Sequence, residues 1–321
     1  MIFLHDEINE YKLSFMKKAL VISGGGSKGA FAGGVAQYLM KEERKAYELF
    51  LGTSTGSLMV SHLALGKLDA LKKLYTNVDQ KTVFSNSPFT IRKVDGEKVV
   101  SINHLNTLWN FIMGRKTFGE SKNLRKLIKE NITKEMYKTI LKNHKEVVVT
   151  ISNLTTNKIE YKSINETSYE DFCDWIWGSC NYIPFMSLLE KDHCQYGDGG
   201  FGALIPIREA ILRGATEIDA IILDTEVSQV NRMPSKNPFS LLFDVFDFMQ
   251  THVEKHNITI GKLAANHKNV TLNLYYTPTV LTTNSLVFDK KLMRRWWASG
   301  FEYAKTKREK DRSAFRPDVL G

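Results

Sequence analysis

The stretch Glu48-Leu-Phe-Leu51-Gly52-Thr53-Ser54-Thr55-Gly56 reads as a short apolar strand that stops at a glycine and turns at once into a helix. Gly52, Ser54 and Gly56 satisfy G-x-S-x-G, a pattern with a physical requirement behind it. A serine on so sharp a strand-to-helix turn has strained backbone angles, and glycines two residues to either side let strand and helix approach closely. Ser54, framed by Thr53 and Thr55, is therefore a candidate nucleophile standing exposed at a helix N-terminus. A plain helix cap, with Ser54 or Thr53 accepting from backbone amides, is the competing reading.

Upstream, Ala19-Leu-Val-Ile-Ser23 is a second short apolar run, ending in Gly24-Gly25-Gly26-Ser27-Lys28-Gly29 and followed by a helical pattern to Lys41. Two strand-turn-helix units this close predict an α/β fold with a mostly parallel sheet. Residues 146–152 and 218–223 read as further buried strands, and 270–276 as a later one, while 158–162 alternates as an exposed strand does. Residues 65–145 read as mainly helical, broken at Asn86-Ser-Pro88, and helix resumes after Asp224, with a long basic helix from Asp289. No repeat or clean linker divides the chain. The expected organisation is an N-terminal extension over 1–16, a core over 17–225, and a mainly helical part over 226–321 packed on the same domain. Met16 is a second plausible start.

The chain has 321 residues and a net charge of +9, and its 43% hydrophobic and 25% charged residues with 7 prolines exclude a disordered or collagen-like chain. The basicity is local: residues 290–316 carry ten Lys/Arg against three acids, and residues 115–146 ten against four. Such patches suit anionic surfaces, although a solvated helix face explains either one alone. Cys173, Cys180 and Cys194 lack the paired spacing of a zinc site, so neither a metal nor a disulfide framework is expected. No run of 18 apolar residues predicts a transmembrane helix, and the N-terminus lacks a secretory pattern, so a cytoplasmic protein is expected.

Gly24–Gly29 also satisfies G-x-G-x-x-G, but a dinucleotide site needs an acidic residue ending the second strand, and here Leu51-Gly52 is followed by Thr53 and Ser54. The phosphate-loop pattern is absent too, and no cofactor is expected. What survives is a glycine-rich turn whose free N–H groups can hold an anion, with Gly25 and Gly26 as candidate donors to an oxyanion. Both turns should emerge at the carboxyl ends of neighbouring parallel strands. A base is also needed. Gln195-Tyr-Gly-Asp198-Gly199-Gly200 offers a carboxylate between glycines, where a simple Asp-Gly turn is the alternative. His252, His256 and His267 keep a Ser-Asp-His order open.

Together these residues resemble the patatin-like phospholipase family. The resemblance rests on three motifs in the family's order: Gly24-Gly25-Gly26-Ser-Lys28-Gly29, Gly52-Thr53-Ser54-Thr55-Gly56 and Asp198-Gly199-Gly200, and it spans about residues 17–225. One departure is Ser179-Cys-Asn-Tyr-Ile-Pro184, where the family has Ala-Ser-x-Ala-x-Pro; Tyr182 in place of a small residue is expected to narrow or reshape the acyl pocket, so the family's substrate length does not carry over. The resemblance implies a three-layer α/β/α fold and a Ser54-Asp198 dyad working without histidine or metal. Gly25 and Gly26 would hold the oxyanion, with Lys28 bracing the turn. An Asp at its ordinary pKa of about 3.9 is a poor base for a hydroxyl, so burial or concerted proton transfer must help it.

The implied substrate is a fatty acyl ester of a phospholipid or lysophospholipid, met at an anionic membrane surface by a peripheral enzyme. A soluble carboxylesterase or acyltransferase using the same dyad is the alternative. A non-catalytic basic module binding membrane or nucleic acid is opposed by the intact Ser54 and Asp198, and no nucleic acid partner is expected. Phe239, Leu242, Phe243, Phe246 and Met249 recur at helical spacing, and 108–113 is similarly apolar; each is core packing, with a lid or acyl-chain wall as the alternative. Trp296, Trp297 and Phe301 beside Arg294 and Arg295 form either an interfacial anchor or a helix packed on the body.

Overall fold

The computed structural model describes residues 16–94, 97–227 and 238–314; apart from Met16, the predicted N-terminal extension lies outside the described residues. Ten strands are described: β1 (Lys18–Ile22), β2 (Leu49–Thr53), β3 (Phe89–Val94), β4 (Glu97–Ile102), β5 (Glu146–Asn153), β6 (Lys158–Ser163), β7 (Leu189–Lys191), β8 (Cys194–Asp198), β9 (Glu217–Ile221) and β10 (Thr271–Tyr275). The main sheet runs β10-β9-β1-β2-β5-β8-β7, with β6 also on β5. The five strands from β10 to β5 are mutually parallel, and β6, β7 and β8 pair antiparallel.

Successive residues of the central strands enter different cores, as a sheet covered on both faces requires. Leu20, Ile22, Phe50, Val147 and Val149 join one apolar cluster with the helices α1 (Gly29–Gln37), α2 (Thr55–Ala64) and α3 (Leu68–Tyr75). Ala19, Val21, Leu49, Leu51 and Val148 join the other. Helices α4 (His104–Ile112), α5 (Lys122–Asn131), α6 (Lys134–Lys142) and α7 (Tyr169–Ser179) follow, then α8 (Ile207–Leu212), α9 (Pro238–His267) and α10 (Lys290–Ala314). Helix α8 and residues Ile258 and Ala265 of α9 cover the second face. The result is a three-layer α/β/α arrangement.

The edges of β5 position the site. β6 runs along residues 148–153 of β5, so β2, paired with 146–150, and β8, paired with 151–153, must share the opposite edge. β2 is parallel to β5 and β8 antiparallel, so their carboxyl ends run toward each other and meet where Thr53 lies opposite Thr150 and Asp198 opposite Ile151.

One expectation is corrected, and one open alternative is decided in favour of a helix packed on the body. The segment read as mainly helical contains the antiparallel hairpin β3–β4, whose β-branched run Lys98-Val-Val-Ser-Ile102 favours strand. The aromatics of α10 do not form an interfacial anchor: Trp296 and Trp297 are buried, and Trp297 Nε1 donates to Gln37 Oε1 of α1 at 2.6 Å. Phe301 meets Tyr38 edge-on, and Arg312 pairs with Glu43 at 2.7 Å. Among the described residues, no helix is long and apolar enough to cross a membrane.

Candidate active site

Ser54 joins β2 to α2 at φ 53°, ψ −119°, a backbone conformation outside the usual regions that costs about 1–3 kcal/mol and persists only where its surroundings enforce it. Enforcement is visible on every side. The Ser54 N–H donates to Ser179 Oγ at 2.9 Å, and its carbonyl accepts from Ser57 Oγ at 2.6 Å and from Cys180 Sγ at 3.1 Å. A Cβ on Gly56 would lie 2.4 Å from the Ile22 carbonyl oxygen, and one on Gly52 would lie 2.4 Å from the Gly56 backbone. The elbow glycines therefore permit β1, β2 and α2 to close on one another. Ser54 is only 9% exposed, so it does not stand free at the surface as expected but opens into a cavity.

Asp198, the last residue of β8, is 3% exposed. Its Oδ2 accepts from Ser54 Oγ at 2.6 Å and its Oδ1 from the Gly200 N–H at 2.8 Å. The main chain is pinned as well: Asp198 N–H donates to Asn181 O at 2.9 Å, and Ser152 Oγ donates to Asp198 O at 2.8 Å. Burial pushes the Asp198 carboxyl up to about 7, against the opposing pull of its bonds from Ser54 and Gly200.

The glycine-rich turn lies on the neighbouring strand end. The Gly24 N–H is taken by Leu204 O at 3.0 Å, that of Ser27 by Ser285 O at 2.8 Å, and that of Lys28 by Gly25 O at 3.1 Å. Gly29 N–H returns to Gly26 O and Ser27 O. This narrows the candidate donors of the turn to Gly25 and Gly26, whose N–H groups have no acceptor among the described residues. Tyr75 Oη donates to Gly26 O at 3.1 Å and so holds the turn from its other side. Lys28 lines the cavity, where its charge partly offsets the burial that raises Glu254 to about 7.

The cavity, about 210 Å³, is lined by Gly24, Gly25, Gly26, Lys28, Ser54, Thr55 and Asp198 together with a long apolar wall. Leu58 and His62 of α2 follow Thr55 at one-turn intervals, and Leu124, Leu127, Ile128 and Asn131 of α5 present a stripe of their own. A channel thus leads from Ser54 along α2. His62 is buried with Nδ1 unpartnered, and burial, reinforced by Lys67, lowers its pKa to about 4. Tyr182 also lines the cavity, packed on Phe185, Phe201 and Phe246. Of the spaced apolar residues in α9, Phe243 lines this cavity, whereas Phe246 and Met249 line a separate groove; the side chain of Phe239 lies outside the described residues.

His252, His256 and His267 are all exposed and none lines the cavity, so the geometry does not support the Ser-Asp-His order. The three cysteines are free, and among the described residues no group of three His, Cys, Asp or Glu is placed to hold a metal ion. Sequence reasoning missed Ser179, Tyr75, Leu204 and Ser285. Ser179 opens the segment already noted as a departure, but the contacts of the other three carry no local signal.

A serine on a strained strand-to-helix turn, hydrogen-bonded to a buried carboxyl at the carboxyl ends of a mostly parallel sheet, is an arrangement of hydrolases. The sequence profile of the patatin-like phospholipase family matches residues 20–211, and the chain belongs to that family of lipid acyl hydrolases. No curated protein sequence matches. Among the solved structures, the chain is similar to VipD from Legionella pneumophila at 12% identity and a TM-score of 0.45, over 92% of this chain and 67% of that one.

Proposed function

We propose that the protein hydrolyses fatty acyl esters of phospholipids or lysophospholipids through a Ser54-Asp198 dyad. The observation that carries this reading is the 2.6 Å bond from Ser54 Oγ to Asp198 Oδ2 on a strained elbow opening into a cavity with a long apolar wall. Ser54 Oγ attacks the acyl carbonyl while its proton passes to Asp198. The oxyanion that forms accepts from the N–H groups of Gly25 and Gly26. As the tetrahedral intermediate collapses, the carbon–oxygen bond to the alcohol breaks and Asp198 returns the proton to the leaving oxygen. Water then attacks the acyl-enzyme, giving its proton to Asp198, and expulsion of Ser54 Oγ, which takes that proton back, frees the fatty acid. A carboxyl raised to about 7 by burial is a far better base for these steps than one at its ordinary value.

The same shift sets the pH dependence. Asp198 must be ionised to accept the proton, so kcat/KM on a soluble ester is expected to rise through a single ionisation near 7 and to level off above it. Stopped assays from pH 5 to 9 check this; a flat profile across that range would remove Asp198 as the base.

The channel carries a second expectation. Leu58→Trp or Ile128→Trp places an indole in its path, and hydrolysis of long-chain esters is expected to fall about tenfold or more while a butyrate ester is spared. A nitrophenyl ester series, with circular dichroism to verify folding, makes the comparison. Equal loss at every chain length would place the acyl group elsewhere.

A further inference from the structure

Helix α4 is amphipathic in the inverted sense. Three of its four polar residues face the protein, His104 being exposed: Thr107 and Asn110 are buried, Asn110 Nδ2 donates to Phe118 O at 2.7 Å, and Asn106 bonds to Asn86 and to Ser87 O. Its apolar residues face solvent, with Leu105 83%, Phe111 77% and Ile112 65% exposed, and Trp109, Leu108 and the following Met113 close behind. Large apolar side chains gathered on one exposed helix face mark an interaction surface rather than ordinary surface variation.

Two observations select the partner. The six Lys/Arg of residues 115–129, directly after the helix, pair with four acids, Glu120, Glu130, Asp174 and Glu190, and the surplus leaves this stretch net cationic, which suits phosphate headgroups. The face also leads to the site. Lys116 and Thr117 line a groove with Ile183, Phe201, Phe246 and Met249, and Gln250 lines both that groove and the cavity that holds Ser54. From these we infer that α4 inserts its apolar face into the outer part of an anionic lipid bilayer and so sets the groove and the active-site cavity against the membrane. This rests on the proposed lipid hydrolase reading and adds where the membrane is met: at α4, rather than at the basic helix α10, whose tryptophans are buried against α1.

The chain carries its own reporter, because Trp109 is exposed while the other four tryptophans are at most 8% exposed. With Ser54→Ala protein, so that no lipid is consumed, vesicles of equimolar phosphatidylcholine and phosphatidylglycerol are expected to shift the emission to the blue, and brominated acyl chains to quench it. Both signals should vanish in Trp109→Phe on the same background. The Leu108→Ser/Ile112→Ser variant leaves the inward polar face intact; its vesicle binding and vesicle hydrolysis are expected to fall about tenfold or more, with hydrolysis of a soluble butyrate ester unchanged. Absence of a blue shift and of quenching would overturn the proposal. So would equal loss on both substrates, or a dimer by light scattering that already buries Trp109 without lipid, which would make a second copy the occupant. Because binding is read on an inactive variant, failure to hydrolyse any ester would count against the dyad and leave the membrane face standing.

Discussion

Ser54→Ala protein is expected to fold and to lose ester hydrolysis by a factor on the order of 10⁴–10⁶, the range seen when a serine nucleophile is removed from a hydrolase and only binding and oxyanion contacts remain. The fold survives because the hydroxyl is not what holds the elbow. The Ser54 N–H bond to Ser179 and the carbonyl's bonds from Ser57 and Cys180 all involve backbone atoms that alanine keeps. The hydroxyl's bond is the one to Asp198, and it lowers that carboxyl's pKa; without it Asp198 stays protonated to higher pH in the variant. A fluorophosphonate probe followed by peptide mass spectrometry should label wild type at Ser54 and leave the variant unlabelled. Residual hydrolysis within tenfold of wild type, or labelling at another residue, would remove Ser54 from the proposed chemistry.

How far the site could be read before the fold follows from the range of the interactions involved. The elbow is local: Gly52 and Gly56 are demanded by contacts within a few residues and by the adjoining β1, so their spacing announces the turn. The parallel order of β1 and β2 was legible for a similar reason, since each strand passes directly into a helix. The Ser54-Asp198 pair joins residues 144 apart, and it depends on β8 pairing antiparallel with β5 along the edge that β2 has vacated. No periodicity encodes which edge a late strand takes; the glycines around Asp198 offered a carboxylate but left a plain turn open, and the resemblance is what paired it with Ser54. Contacts such as Ser285 to Ser27 depend in the same way on distant chain crossings. The core reading of 108–113 in the inverted helix α4 fails because a hydrophobic stripe states that a face wants to leave water without stating what covers it. The tryptophans of α10 show the converse: aromatics beside arginines fit an anchor until Gly33 and Gly34 of α1 are seen to admit Trp297 against the helix backbone.

Asp198→Asn is expected to reduce kcat by a factor on the order of 10⁴, with His252→Ala, His256→Ala and His267→Ala each retaining most activity. The same substitution should make the protein more stable at alkaline pH, and the direction follows from proton linkage. Asp198 ionises at about 7 in the folded protein and near 3.8 when exposed, so between those values the folded state binds more proton than the unfolded state. Stability contributed by the group is therefore complete below pH 4, declines as pH rises, and is lost once pH passes 7. A shift of roughly three pH units corresponds to about 4 kcal/mol of burial cost for the ionised form. An asparagine carries no such cost. Its Oδ1 can accept from the Gly200 N–H, and its Nδ2 can donate to Ser54 Oγ, so the hydrogen-bonding places are filled with neutral groups. Calorimetric Tm values of the two proteins are thus expected to agree at pH 4 and to diverge as pH rises, the variant standing roughly 5 °C or more higher at pH 8. A Tm difference independent of pH would show that the carboxyl is not held neutral by burial. A lower Tm for the variant at pH 8 would mean that the ionised form is stabilised by its surroundings, and the account of Asp198 as a base raised by desolvation would fail with it.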